Sequence, residues 1–83
     1  MIKEYANKIA LQSDVKLSGV ILVPGAKLGC VDFDLLYISS GGQQISTLVY
    51  QTDVSALDDN VQAERLRKNI QDAVSRLKRL LQP

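Results

Sequence analysis

The first twelve residues place apolar side chains three or four positions apart, with charged and amide side chains between them. The apolar positions are Ile2, Tyr5, Ala6, Ile9 and Ala10. Side chains at this spacing share one face of an α-helix, because the helix turns once in about 3.6 residues. The pattern therefore predicts a short amphipathic helix over about residues 2–12 that buries its apolar face.

After Asp14 the period of the pattern changes to two, which is typical of β-strands. The alternation predicts strands over about residues 15–23, 28–38 and 44–51. Pro24 and Gly25 fit the two central positions of a type II turn between the first two strands. Gly41 and Gly42 tolerate the positive φ that a tight turn between the last two strands requires. Three strands joined this closely predict an antiparallel meander.

The second predicted strand has apolar side chains on both of its faces. One face carries Val31, Phe33, Leu35 and Tyr37. The other face carries Leu36 and Ile38 beside Asp32 and Asp34. Because the first face has no charged residue, we expect it to point towards the core. Leu36 and Ile38 would then lie on the outer face, where an apolar area is a candidate interface.

A second helical pattern runs through the last third of the chain. Its apolar positions are separated by alternating steps of three and four residues, at Ala63, Leu66, Ile70, Ala73, Leu77 and Leu80, with Val74 and Leu81 widening the stripe. Ser55 and Asp58 have the spacing of a capping box, with Asp in place of the usual Glu. These features predict one helix over about residues 56–81, with Asp58 and Asp59 in its first turn, where acidic side chains complement the helix dipole.

The order helix, strand, strand, strand, helix predicts a single α+β domain over residues 1–83, with a three-stranded antiparallel meander packed against two helices. The last helix would be about 39 Å long, whereas a chain of 83 residues forms a body about 30 Å across. Either the helix kinks or one end projects and offers its apolar side chains to a second molecule. We therefore expect a homo-oligomer, and we expect a dimer because dimers are the most common homo-oligomers. The alternative is a helix that packs diagonally and hides its apolar face within the monomer.

The residue types that are missing restrict the chemistry. The sequence has no His and no Trp, and Cys30 is its only Cys. Without His there is no Ser–His or Cys–His nucleophile pair, no imidazole acid or base and no usual zinc site. We therefore expect no enzymatic activity and no cofactor. A single Cys cannot form an internal disulfide, and no apolar run has the length of a membrane span, so we expect a cytoplasmic protein without membrane contact.

Three polar or reactive features have ordinary structural explanations. Asp32 and Asp34 lie on the same face of a predicted strand, but no third metal ligand accompanies them, so we expect the wet face of an amphipathic strand. The two adjacent glycines lack the Lys and the spacing of a phosphate-binding loop and fit a turn better. Cys30 falls within a predicted strand, where a free thiol is usually a small buried apolar group.

Charge is distributed unevenly along the chain. Residues 1–63 carry four Lys and seven Asp or Glu, whereas residues 64–83 carry six Lys or Arg and two acidic residues. Four of these cations gather on one flank of the predicted last helix, and they are Arg65, Lys68, Arg76 and Arg79. Such a flank is a candidate for phosphate contacts. Glu64 with Lys68, and Asp72 with Arg76, are spaced to form ion pairs that would interrupt it.

No motif in the sequence is specific enough to assign a family. The expected function is that of a non-enzymatic binding protein, such as an inhibitor, adaptor or regulator, that acts by protein–protein interaction and self-association. The expected interface residues, for a second copy or another protein, are Leu66, Ile70, Ala73, Leu77, Leu80, Leu81, Leu36 and Ile38. The alternative is a nucleotide or nucleic-acid binder that uses the basic flank of the last helix.

Overall fold

The structure is a computed structural model that describes residues 1–59 and 63–82. Its elements, in chain order, are α1 (Ile2–Gln12), β1 (Gly19–Val23), a 3₁₀ turn (Gly25–Leu28), β2 (Phe33–Ser40), β3 (Gln43–Tyr50), α2 (Gln51–Asp58) and α3 (Glu64–Leu81). This order confirms the predicted α+β class and the helix that precedes the three strands. The C-terminal helical region differs, because it consists of two helices rather than one.

The three strands form one antiparallel sheet in the order β1-β2-β3, as the meander predicts. The β2–β3 hairpin is closed by the pair Ser40 and Gln43. Its two turn residues, Gly41 and Gly42, have φ of 55° and 80°. Two consecutive residues with positive φ match the right-handed twist of the strands, and glycine adopts this conformation without steric cost. The predicted hairpin turn is therefore confirmed.

The connection between β1 and β2 is not the predicted type II turn. Gly25 begins the 3₁₀ turn, and the residue with left-handed φ is Gly29, at 75°. Gly25 is required for space instead, because a Cβ atom there would lie 1.6 Å from the carbonyl oxygen of Phe33. Its N–H donates a hydrogen bond of 2.9 Å to Oδ1 of Asp34. This longer connection explains why β2 begins at Phe33, later than its pattern predicts.

The core lies between the helices and one face of the sheet. It is formed by Ala6, Ile9, Ala10, Val15, Leu36, Ile38, Val49, Leu57, Leu66, Ile70, Ala73, Val74 and Leu77. The prediction that Leu36 and Ile38 point outward is therefore wrong, since both are fully buried. The physical reason is the packing of the helices. Both faces of β2 are apolar and each face of β3 carries two apolar and two polar side chains, so the face that α1 and α3 cover becomes the core.

The predicted single helix over residues 56–81 is two helices, because the chain turns back after β3. α2 begins directly after Tyr50, so Ser55 lies inside α2 and caps no helix. Asp58 and Asp59 lie at the end of α2 and not at the start of a long helix. The 18 residues of α3 span about 27 Å, which is also the length of an eight-residue strand. α3 therefore fits along the sheet.

Replacement of Gly25 tests the tight contact in the β1–β2 connection. We expect Gly25→Ala to destabilise the fold by about 3 kcal/mol or more, because the added methyl group meets a backbone oxygen that cannot move freely. Gly29→Ala is the matched control, since nothing lies within 4 Å of its added Cβ and only the left-handed φ costs energy, about 1 kcal/mol. Urea unfolding followed by circular dichroism measures both, and equal losses would contradict the steric explanation.

Candidate functional site

The side of the sheet that faces away from α1 and α3 is the most unusual surface of the molecule. Alternation along the strands places there the side chains of Ile21, Val23, Phe33, Leu35, Tyr37, Ser39, Gln44, Ser46, Leu48 and Tyr50, which we call the open sheet face. Ile21 and Leu48 are 57% and 52% exposed. None of the strand residues on this face carries a charge. No helix covers it within residues 1–59 and 63–82.

The apolar residues of the open sheet face form a continuous patch across all three strands. One cross-strand row joins Val23, Leu35 and Leu48, and the next row joins Ile21 to Tyr37. Side chains that lie directly opposite each other on neighbouring strands have Cβ atoms about 5 Å apart and are in contact. The patch is therefore contiguous, and Ser39, Gln44 and Ser46 make the face polar towards the β2–β3 hairpin.

The other end of the open sheet face is aromatic. The rings of Phe33 and Tyr50 lie 4.5 Å apart between centroids and are tilted by 43°. The guanidinium of Arg65, from the first turn of α3, lies 3.4 Å from the centroid of the Tyr50 ring. This is a close cation–π contact. It connects the helical layer to the aromatic end of the face.

Arg65 is held in place by Asp53 of α2. Its Nε and Nη2 atoms donate hydrogen bonds of 2.8 and 3.0 Å to the two carboxylate oxygens of Asp53, whose side chain is 11% exposed. The hydrogen bonds that Arg65 donates to this carboxylate raise the pKa of Arg65. We call Arg65, Asp53 and Tyr50 together the clamp. Because the Nε–Nη2 edge of the guanidinium and one of its flat faces are in contact with Asp53 and Tyr50, the clamp orients Arg65 away from the predicted phosphate-binding flank and compensates its charge.

The apolar stripe of α3 lies inside the monomer. Leu66, Ile70, Ala73 and Leu77 have no exposed surface and pack in the core with Leu36 and Ile38. This placement corrects the sequence-based interface at these six positions, because α3 lies on the sheet and does not project. Of the eight expected interface residues, Leu80 and Leu81 are on the surface, at 49% and 36% exposure.

The basic flank of α3 is broken by acidic partners. Arg76 pairs with Asp72 at 3.3 Å, as its spacing predicts. Glu64 pairs with Arg67 rather than with Lys68, and this hydrogen-bonded contact lowers the pKa of Glu64 and raises that of Arg67. Lys68 and Arg79 are exposed on α3. Within the described residues these two cations have no acidic partner, so the four-residue flank is reduced to two separate charges.

A shallow groove of about 190 Å³ separates α1 from the first half of α3. Its lining consists of Tyr5, Lys8, Ile9, Gln12 and Arg67. Partial burial raises the pKa of the Tyr5 phenol. The guanidinium of Arg67 is already occupied by Glu64 and Gln71. The groove therefore presents one unengaged cation, Lys8, among the described residues that line it.

The remaining candidate residues from the sequence either have structural roles or are exposed on the surface. Oδ1 of Asp34 accepts hydrogen bonds from the N–H of Gly25 and, at 3.1 Å, from Nε2 of Gln51, so it anchors the β1–β2 connection to the start of α2. Asp32 is exposed ahead of β2 and does not share a site with Asp34. Cys30 is exposed in the β1–β2 connection, which corrects its predicted burial in a strand. Within the described residues no three side chains of metal-ligating type lie together.

Comparison of this chain with protein-family models, with curated proteins and with solved structures gives no match. Within the described part of the chain, no helix combines the length and the apolar character needed to cross a bilayer. We therefore infer the function from the surfaces of the molecule itself. Sequence reasoning missed Ile21 and Leu48 as surface residues. No strand pattern identifies them, because each face of β3 carries two apolar and two polar side chains.

Removal of the Asp53 carboxylate tests the clamp. We expect Asp53→Ala to lower the free energy of unfolding by roughly 1 kcal/mol, because a nearly buried acceptor of two charge-assisted hydrogen bonds is lost and its partner is half exposed. Asp72→Ala is the matched control, since Asp72 is also helical but pairs on the surface, and its removal should change stability by less than about 0.5 kcal/mol. Urea unfolding measures both. An Asp53→Ala effect of the same size in an Arg65→Ala background would show that the two residues do not act together.

Proposed function

We propose that the protein is a non-enzymatic binding protein that acts by contacting protein through the open sheet face. The observation that carries the proposal is an uncharged apolar patch spanning three strands, with Ile21 and Leu48 more than half exposed. Monomeric proteins seldom leave contiguous apolar patches larger than a few hundred Å² in water, and larger patches usually mark interaction sites.

The composition of the face supports binding to protein. Residues at the centre of protein interfaces are enriched in aromatic side chains and Arg and are depleted of acidic side chains and Lys. The open sheet face offers Phe33, Tyr37 and Tyr50, together with Arg65 of the clamp at its margin. The hydrogen-bonded strands and the clamp also hold these groups in fixed positions, so little conformational entropy is lost when a partner binds.

The engagement of the titratable groups supports a non-enzymatic role. Acid–base catalysis needs a group that can reach a substrate, in a site that holds the substrate in place. Asp34 is committed to the β1–β2 connection and Asp53 to the clamp. The groove beside Tyr5 is shallow, and its Arg67 is occupied by neighbouring side chains. These contacts favour surface recognition over chemistry.

A photo-crosslinking amino acid placed at position 48 tests the proposed binding surface. We expect it to form covalent adducts with protein in the cells that produce the chain, because Leu48 lies in the middle of the patch. Position 11 is the matched control, since Leu11 is 62% exposed and lies on α1, in the opposite layer. The yields are compared by gel and mass spectrometry. Equal yields at the two positions, or none at position 48, would contradict the proposal.

The alternative function, nucleotide or nucleic-acid binding by α3, makes a different prediction. It depends on Lys68 and Arg79, because Arg65 and Arg76 are engaged with Asp53 and Asp72. We expect fluorescence anisotropy with labelled RNA, DNA and ATP to show no binding at low salt. Affinity that falls steeply as salt rises, and that is lost in Lys68→Glu/Arg79→Glu, would establish the alternative instead.

A further inference from the structure

We infer that the partner on the open sheet face is a second copy of this chain, so that the binding unit is a two-fold symmetric dimer with its two sheets packed face to face. This inference rests on the proposed function, because it names the occupant of the same surface. The observations that favour a second copy are the size of the face, its lack of charge and the arrangement of its apolar rows.

The size of the face is sufficient for a small interface between two copies. Neighbouring strands lie about 4.8 Å apart and rise about 3.3 Å per residue. The paired segments of β1, β2 and β3 therefore outline a face of roughly 14 by 26 Å, or about 360 Å². Two such faces in contact bury about twice this outline, which is typical of a weak, concentration-dependent dimer and not of a standard interface. A second copy has a face of the same outline and therefore covers the apolar rows.

The charge of the face favours a partner with the same surface. A two-fold interface brings a patch against itself, so any charged residue near the axis meets a like charge. The strand residues of the open sheet face carry no charge, so two copies approach without repulsion. Because these strand residues are uncharged, a strongly charged partner could form no ion pair with them. The one charged residue on the strands, Asp34, belongs to the other face and is hydrogen-bonded to Gly25 and Gln51.

The arrangement of apolar rows allows the two sheets to fit together. Stacked sheets lie about 10 Å apart with their strands rotated by about 30°, and side chains from the two inner faces interdigitate. The row of Val23, Leu35 and Leu48 and the neighbouring row of Ile21 and Tyr37 cross β2, the central strand. A two-fold axis that lies midway between the two sheets, parallel to them, and passes over β2 between these rows packs apolar rows of one copy against those of the other. The polar Gln44 and Ser46 then lie towards the rim.

The other exposed apolar residues do not offer a comparable surface. They lie at separate places: Met1 precedes α1 and Leu11 is on it, Leu28 and Val31 are in the β1–β2 connection, and Leu80 and Leu81 are at the end of α3. Single exposed apolar side chains are common on monomeric proteins and need no partner. The open sheet face differs from them because its apolar residues are adjacent on three hydrogen-bonded strands.

The oligomeric state of matched charge variants tests the inference. Size-exclusion chromatography with light scattering should give twice the 9.1 kDa chain mass for the wild type and for Leu11→Glu. Leu48→Glu should give a monomer, with a dissociation constant raised at least about hundredfold, because each dimer then contains two unpaired charges in an apolar interface. Both replaced side chains are more than half exposed, so both variants should keep the wild-type circular dichroism spectrum.

The stability of the dimer gives a second readout. The urea midpoint of the wild type should rise with protein concentration, whereas that of Leu48→Glu should not. A wild type that stays monomeric at every concentration would overturn the inference. So would a dimer that Leu48→Glu and Leu11→Glu leave equally intact, because the contact would then use another surface. If the wild type is monomeric but the crosslinker at position 48 captures a different protein, the second copy is excluded and the proposed function remains. If neither is observed, both fail.

Discussion

A three-stranded sheet has two faces, and the two long helices of this chain cover one of them. This limit determines most of the structure. β2 carries apolar side chains on both sides, so whichever side α1 and α3 cover becomes the core and the other is left in water. Because α3 has about the same length as β3, it lies along the sheet with its whole apolar stripe buried. Both long helices then pack on the core face of the sheet, so neither is left to cover the open sheet face.

The sequence predicts the elements well where local geometry decides them. The helix over residues 2–12, the meander and the turn at Gly41 and Gly42 depend on periodicity and on positive φ, and the structure has all three. The sequence predicts the conformation poorly where contacts between residues that are distant along the chain determine it. Gly25 fits a type II turn locally, but its contacts with Asp34 and with the backbone at Phe33 favour a 3₁₀ turn. A period of two places residues on a common face without saying which face a helix covers.

The same distinction applies to the candidate sites. A stripe of residues three and four apart on α3 is the pattern of an internal core helix and of an intermolecular seam alike, and periodicity alone does not separate them. Asp72 and Arg76 are four residues apart on one helix, so their ion pair can be predicted from the sequence. The partner of Arg65 is Asp53, twelve residues earlier and on another helix, so no local pattern shows that this cation is engaged.

The distribution of charge in the sheet has a physical consequence for the molecule in solution. The strands carry one charged residue, Asp34, and it is turned away from the open sheet face, while α1 and α3 carry ionic side chains along their outer surfaces. The free chain is thus amphipathic, with charged helices on one side and the apolar open sheet face on the other. Such a molecule adsorbs at a boundary between water and air, or on a hydrophobic resin, in one orientation. Its strands face the apolar phase and its helices face water.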